Sequence, residues 1–156
     1  MIWEELNPAL VFTNLKAGHS GDVLEQLGSA FIKEGYAKET YVQALIQREQ
    51  EYPTGLDVYG YGVAIPHTPV EHVIKAGIGI AILEKPVTFH VMGGEDDETV
   101  DVRIVFMLAV VDPAKHIDEL QRILDILQDT AVLAKLMQAE NPKEIIHLIA
   151  EKEKTL

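Results

Sequence analysis

Apolar residues recur at helical spacing first at Val23, Leu24, Leu27 and Phe31. Ser20 stands where an N-cap belongs and Gly35 where a C-terminal cap belongs, so this stretch reads as a first helix. A second helix is expected from about Glu39 to Arg48. The turn signal Pro53-Thr54-Gly55 then introduces a β-rich run from Val58 to Ile65, which stops at Pro66. Three more extended runs follow, Ile78 to Leu83, Val87 to Val91 and Val100 to Val111. They are separated by Glu84-Lys85-Pro86 and by the acidic loop from Gly93 to Glu98. The last run is too apolar for a strand with one wet face, so it should lie centrally in a sheet covered on both sides. Asp112-Pro113 then supplies an N-cap and first-position pair for a helix whose apolar stripe is Ile117, Leu120, Ile123, Leu124 and Leu127. Shorter helices are expected near Thr130 to Gln138 and Pro142 to Lys152. Helices at both ends of four or five strands predict an α/β three-layer sandwich. Strand order is not legible in this pattern.

Composition narrows the classes of function. A chain of 156 residues, 47% hydrophobic, suits one compact unit that buries roughly 70% of the surface exposed by its unfolded form. No repeat or long linker divides residues 1–156. Twenty-five acidic against thirteen basic side chains leave a net charge of −12, which repels a nucleic-acid backbone and an anionic bilayer alike. The start, with Glu4, Glu5 and Pro8, has no secretory pattern. Apolar runs such as Ile104 to Val111 fall well short of the about 20 residues that span a membrane. A chain without cysteine has no disulfide framework and no thiolate chemistry. The expectation is a cytoplasmic protein with no nucleic-acid partner and no direct membrane insertion.

The candidate chemistry is carried by histidine. His67 closes Gly62-Val63-Ala64-Ile65-Pro66-His67, just past a strand end, where the proline fixes the backbone before it. A neutral imidazole there is a nucleophile, and the plain alternative is a surface loop histidine. His116 lies in the first turn of the helix begun by Asp112-Pro113 and on its inward side, where free N–H groups and the helix dipole favour an anion; alternatively it is a half-buried structural residue. If the strands ending at Ile65 and Val111 are parallel, both histidines leave the sheet at one edge, where open α/β sheets place ligands. One could accept a phosphoryl group while the other steadies its oxygens. Arg48, at the end of the second helix, is either a solvated side chain or a guanidinium fork for phosphate.

Other motifs carry less. His72 follows His67 by five residues rather than four and no His-Glu-x-x-His pattern exists, which leaves a metal hydrolase built on His67, His72 and His116 as a remote reading. His19, His90 and His147 read as structural or surface residues. Thr68 and Glu71 around Pro69 resemble a capping box. Gly77-Ile78-Gly79 lacks the third glycine of a nucleotide-binding loop. Val63, Pro66, Pro69 and Val70 form a candidate apolar docking patch around His67.

Three segments taken together, Leu45-Ile46-Gln47-Arg48-Glu49, Tyr52-Pro53-Thr54-Gly55-Leu56 and Gly62 to His67, resemble the signature of the fructose/mannitol class of enzyme IIA domains (EIIA type 2) in bacterial sugar phosphotransferase systems. Within it the chain looks most like the galactitol-type stand-alone form, although His116 departs from members of that branch that lack a second histidine. The resemblance implies a mixed sheet of about five strands flanked by helices on both faces. It also implies a phosphocarrier in which His67 is phosphorylated by phospho-HPr while Arg48 and His116 assist at the phosphoryl group. A cysteine of a IIB component is the implied acceptor, the membrane IIC component takes part only indirectly, and neither metal nor nucleotide cofactor is needed. A nitrogen-type regulatory relative, acting by phosphorylation-dependent contact, uses the same histidine.

Overall fold

The computed structural model describes all residues from 1 to 156. Five strands form one sheet: β1 (Leu6–Leu15), β2 (Gly55–Val58), β3 (Tyr61–Ala64), β4 (Gly77–His90) and β5 (Thr99–Ala109), in the order β1-β4-β5-β3-β2. β1 runs parallel to β4 and β3 parallel to β5, whereas β4 with β5 and β2 with β3 are antiparallel. The sheet is therefore mixed, and β5, whose second half from Ile104 to Ala109 is buried on both faces, is its central strand, as the apolar run leads one to expect.

Alternation along the inner strands serves two cores. Ile78, Ile80 and Ile82 of β4, with Ile104, Phe106 and Leu108 of β5, face one core, which α3 (Pro113–Leu127), α4 (Thr130–Gln138) and α5 (Pro142–Glu153) cover. Ala81 and Leu83, with Val105, Met107 and Ala109, face the opposite one beneath α1 (Ser20–Lys33) and α2 (Tyr41–Glu51). This is the three-layer α/β sandwich that the pattern predicts.

The helix boundaries follow local chemistry. Asp112 accepts the Ala114 N–H at 3.0 Å, Asp129 caps α4 through Ala131 and Val132, and Asn141 caps α5 through Glu144. Past the end of α1, Gly35 adopts φ +81°, the Gly35 N–H meets the Ile32 carbonyl and the Tyr36 N–H meets the Phe31 carbonyl, a Schellman closure.

Several expectations are corrected. Ser20 is the first helical residue rather than the cap, since His19 holds the N-cap position without a side-chain bond. Ile117 is 69% exposed and Ile126 is buried, because α3 turns its stripe toward Ile123, Ile126 and Leu127. The run from Val58 to Ile65 is not one strand. Tyr59 and Gly60 both take positive φ, 51° and 91°, and this two-residue turn, of the kind that matches strand twist, folds β2 back on β3. Glu84-Lys85-Pro86 does not separate two strands either; a register shift between Ile82 and Val87 bulges these exposed residues outward within the continuous β4. β1 has no counterpart in the sequence pattern. Its buried positions, Leu6, Leu10 and Val11, do not alternate, and Pro8 is tolerated because β1 is an edge strand.

Candidate active site

β3 delivers His67. Past Ala64 the chain stays beside β5: the Leu108 N–H donates to the Pro66 carbonyl at 3.0 Å, and His67 bridges Leu108 in parallel register. The buried Tyr41 hydroxyl donates to the Leu108 carbonyl at 2.8 Å, tying α2 to the same point of β5. His67 is thus held by backbone on both sides rather than carried on a loose loop.

The ring has a defined polarity. His67 Nδ1 lies 3.1 Å from the Ile65 carbonyl oxygen. A carbonyl can only accept, so Nδ1 carries the proton and Nε2 keeps its lone pair. Burial lowers the His67 pKa below that of an ordinary imidazole and the Arg48 charge lowers it further, against the opposing bond to Ile65. The lowered pKa favours the neutral ring at neutral pH, with the unprotonated Nε2 free to accept a bond.

His116 meets this ring from the first turn of α3, with ring centroids 5.0 Å apart and planes tilted by 48°. The parallel alignment of β3 and β5 brings the two histidines together at one sheet edge, as the conditional sequence reading requires. Burial, then the nearby His67 and Arg48, lower the His116 pKa. Its buried Nδ1 has no hydrogen-bond partner. Arg48 belongs to the last turn of α2, and its guanidinium carbon sits 4.8 Å from the Tyr52 ring centroid, a cation–π contact that restrains the fork. All three candidate residues therefore lie at one end of the sheet.

A direct consequence concerns charge. In Arg48→Ala the repulsion that disfavours the imidazolium is removed, so the titration midpoint of His67, followed by NMR of its ring protons, is expected to rise; an unmoved midpoint would place Arg48 outside its field.

The remaining candidates fall elsewhere. His72 Nδ1 lies 2.9 Å from the Thr40 hydroxyl, and no group of three potential metal ligands is assembled. The capping box at Thr68 does not form: the Thr68 hydroxyl donates to the Pro69 carbonyl and Glu71 takes no part. Val63 and Pro66 are buried and cannot form a docking patch, so exposed apolar surface beside the histidines comes from Pro69, Val70, Val111 and Ile117. The larger grooves lie elsewhere; one of about 490 Å³ runs between Tyr52, Pro53 and the segment from His90 to Asp96. No helix is long and apolar enough to cross a membrane.

Sequence reasoning passes over Glu49 and Thr54. The Glu49 carboxylate accepts the Thr54 N–H at 2.8 Å and the Thr54 hydroxyl at 3.0 Å. A buried threonine five residues after a glutamate, across a Pro turn, is the only local signal of that contact.

Known proteins share this sequence pattern and this fold. The galactitol-specific EIIA component of Escherichia coli K12 is 30% identical over 116 residues, 74% of this chain and 76% of that protein. The crystal structure of IIA mannitol from Escherichia coli superposes with a TM-score of 0.75 at 28% identity, covering 92% of this chain and 98% of that one. The same fold recurs in the solved complex of enzyme IIAMtl with phosphorylated enzyme IIBMtl from Escherichia coli, with a TM-score of 0.77 at 27% identity over 94% of this chain and 97% of that one. The family model for the phosphoenolpyruvate-dependent sugar phosphotransferase system, EIIA 2, matches residues 4–152. This chain, with two facing histidines at the end of a mixed sheet, belongs to the EIIA type 2 family of the sugar phosphotransferase system.

Proposed function

We propose that the chain, residues 1–156 acting as one unit in the cytoplasm, is a phosphocarrier that takes a phosphoryl group from phospho-HPr onto Nε2 of His67 and passes it to a cysteine of a IIB component. The observation that carries this reading is the bond from His67 Nδ1 to the Ile65 carbonyl, 3.1 Å long, which leaves Nε2 unprotonated beside His116. In the first transfer a P–N bond forms at Nε2 as the donor's bond to phosphorus breaks; in the second that P–N bond breaks as a P–S bond forms on the acceptor. Neither transfer requires a metal or nucleotide from this chain. Arg48 and His116 steady the phosphoryl oxygens as charge moves across them.

Placement of the half-buried histidines at one end of the sheet, apart from the larger grooves, suits a phosphoryl group delivered by another protein. The membrane IIC component is served only through IIB. Galactitol or a related sugar is the transported substrate this reading favours, on the strength of the galactitol-specific relative. Incubation with phosphoenolpyruvate, enzyme I and HPr tests the first step, and addition of a galactitol-type IIB tests the second. A phosphoryl group that reaches His67 but goes to no IIB would favour the regulatory, nitrogen-type role instead.

Transient transfer partners meet through modest apolar patches. Val70, 39% exposed, and Ile117, 69% exposed, are the docking residues we assign. A charge buried there opposes encounter while leaving the chemistry of His67 untouched. Val70→Glu and Ile117→Glu are each expected to slow phosphoryl acceptance at limiting HPr by about tenfold and to recover at saturating HPr, a shift of about 1.4 kcal/mol in association. Wild-type rates at limiting HPr would remove these residues from the interface.

A further inference from the structure

The end of α2 carries a carboxylate that the proposed chemistry does not use. Glu49 is not a surface residue in the ordinary sense: one of its oxygens accepts both the N–H and the hydroxyl of Thr54, and the other oxygen lies 3.0 Å from the same hydroxyl. Thr54 is 3% exposed, so these donors have no water to fall back on. Burial pushes the Glu49 carboxyl up, while the Thr54 bonds and the nearby His90 pull it down.

From Thr54 the connection runs to the histidine in two steps. The Thr54 carbonyl accepts the Ile65 N–H at 3.3 Å, one position beyond the Gly55–Ala64 pair of the β2–β3 hairpin. The Ile65 carbonyl then accepts from His67 Nδ1. The turn has no slack on its other side. A Cβ on Gly55 would stand 2.6 Å from the His90 carbonyl oxygen, and the Gly55 carbonyl accepts the Met92 N–H at 2.8 Å. Glu49 closes this turn against α2, and the adjacent residue on α2 is Arg48.

We propose that Glu49 is a positioning residue for His67: by clamping Thr54 to the end of α2 it fixes the Ile65 carbonyl that selects the Nδ1–H tautomer, and it sets Arg48 and His67 in one frame. The inference rests on the reading of His67 as the phosphoryl acceptor only for its consequence in rate. The tautomer itself is a property of the unphosphorylated chain. A carboxylate suits the task because both oxygens accept and neither carries a proton that would need another acceptor. Glutamine retains one accepting oxygen, and alanine retains none.

The test records ring 15N shifts of His67 at a pH well above the imidazole range, for wild type, Glu49→Ala and Glu49→Gln, alongside the rate of phosphoryl acceptance from phospho-HPr. The wild type is expected to hold the Nδ1–H form. In Glu49→Ala the Nε2–H form is expected to appear and acceptance to fall about tenfold or more, as for other residues that orient a reacting group through a hydrogen bond. Glu49→Gln is expected to recover most of both. Thr54→Val keeps the amide bond but removes the hydroxyl, and it decides the matter through an intermediate tautomer shift should Glu49→Ala fail to fold. A folded Glu49→Ala with the wild-type tautomer overturns the clamp. Wild type that takes no phosphoryl group overturns the functional reading alone, since the tautomer comparison does not depend on transfer.

Discussion

His67→Gln is expected to lose phosphoryl labelling entirely while remaining folded. Glutamine approximates histidine in size and places its amide nitrogen near the position of Nε2, but that nitrogen has no lone pair free to attack phosphorus. Only the nucleophile is removed. Because the ring is half-buried at a sheet edge rather than packed in either core, little stability depends on it. Transfer from phosphoenolpyruvate through enzyme I and HPr should fall by about 10⁴-fold or more, the scale on which removal of a nucleophile registers. His116→Gln provides the contrast: its ring lies 5.0 Å from that of His67 and does not form the bond, so labelling persists but is slower by about 10²-fold, the loss seen when one charge-stabilising donor is removed. Label that survives in His67→Gln would show that another residue is the acceptor.

The largest expected effect on stability lies in the strand that leads to His67. Gly62 is buried in β3, and a Cβ built on it would stand 1.7 Å from the Asp101 carbonyl oxygen, 2.6 Å from the Asp101 carbonyl carbon and 3.0 Å from the Val102 Cα. All three obstacles are backbone of the neighbouring β5, so no rotamer change relieves them. In Gly62→Ala either β3 separates from β5 or the end of the central strand moves, with loss of packing in both cores. A cost of about 4 kcal/mol or more is expected, at the upper end for single substitutions and a large share of the about 5–15 kcal/mol that holds a domain folded. For a chain of this size each kcal/mol moves Tm by about 2–4 °C, so a fall of about 8–16 °C should appear in thermal unfolding. A change of only one or two degrees would mean that β3 can slide off β5 cheaply, and that the perch of His67 is softer than its hydrogen bonds indicate.

These two substitutions separate what His67 does from what holds it. Arg48→Ala adds the electrostatic part, and Glu49→Ala adds the orienting part, which reaches the imidazole through Thr54 and Ile65. Together these variants test the proposed division of the site into a nucleophile, a charge that adds to burial in lowering its pKa, and a scaffold that selects its tautomer.

Much of this molecule is legible in its sequence because the relevant forces act within a turn or two of chain. The caps at Asp112, Asp129 and Asn141 and the closure at Gly35 end helices through bonds to residues no more than five positions away, so α1, α3, α4 and α5 appear near their observed limits. The apolar run from Ile104 to Ala109 in β5 declares a strand with both faces covered, and the Ile-Pro-His step declares a held imidazole, which the structure half-buries rather than exposes. The signature from Leu45 to His67 places the chain in its family before any coordinate is known. Tertiary structure alone decided the rest, since strand pairing depends on partners distant in sequence. β1 is a strand because β4 offers it an edge, although its own pattern does not alternate. β4 stays continuous through Glu84-Lys85-Pro86 because β5 accommodates a bulge, and the turn at Tyr59-Gly60 is selected by hairpin twist rather than by a standard turn pair. The meeting of His67 with His116 follows from the parallel register of β3 and β5. Local chemistry singled out His67, His116 and Arg48 as candidates, and long-range pairing, which no short window of sequence encodes, brought the two histidines face to face.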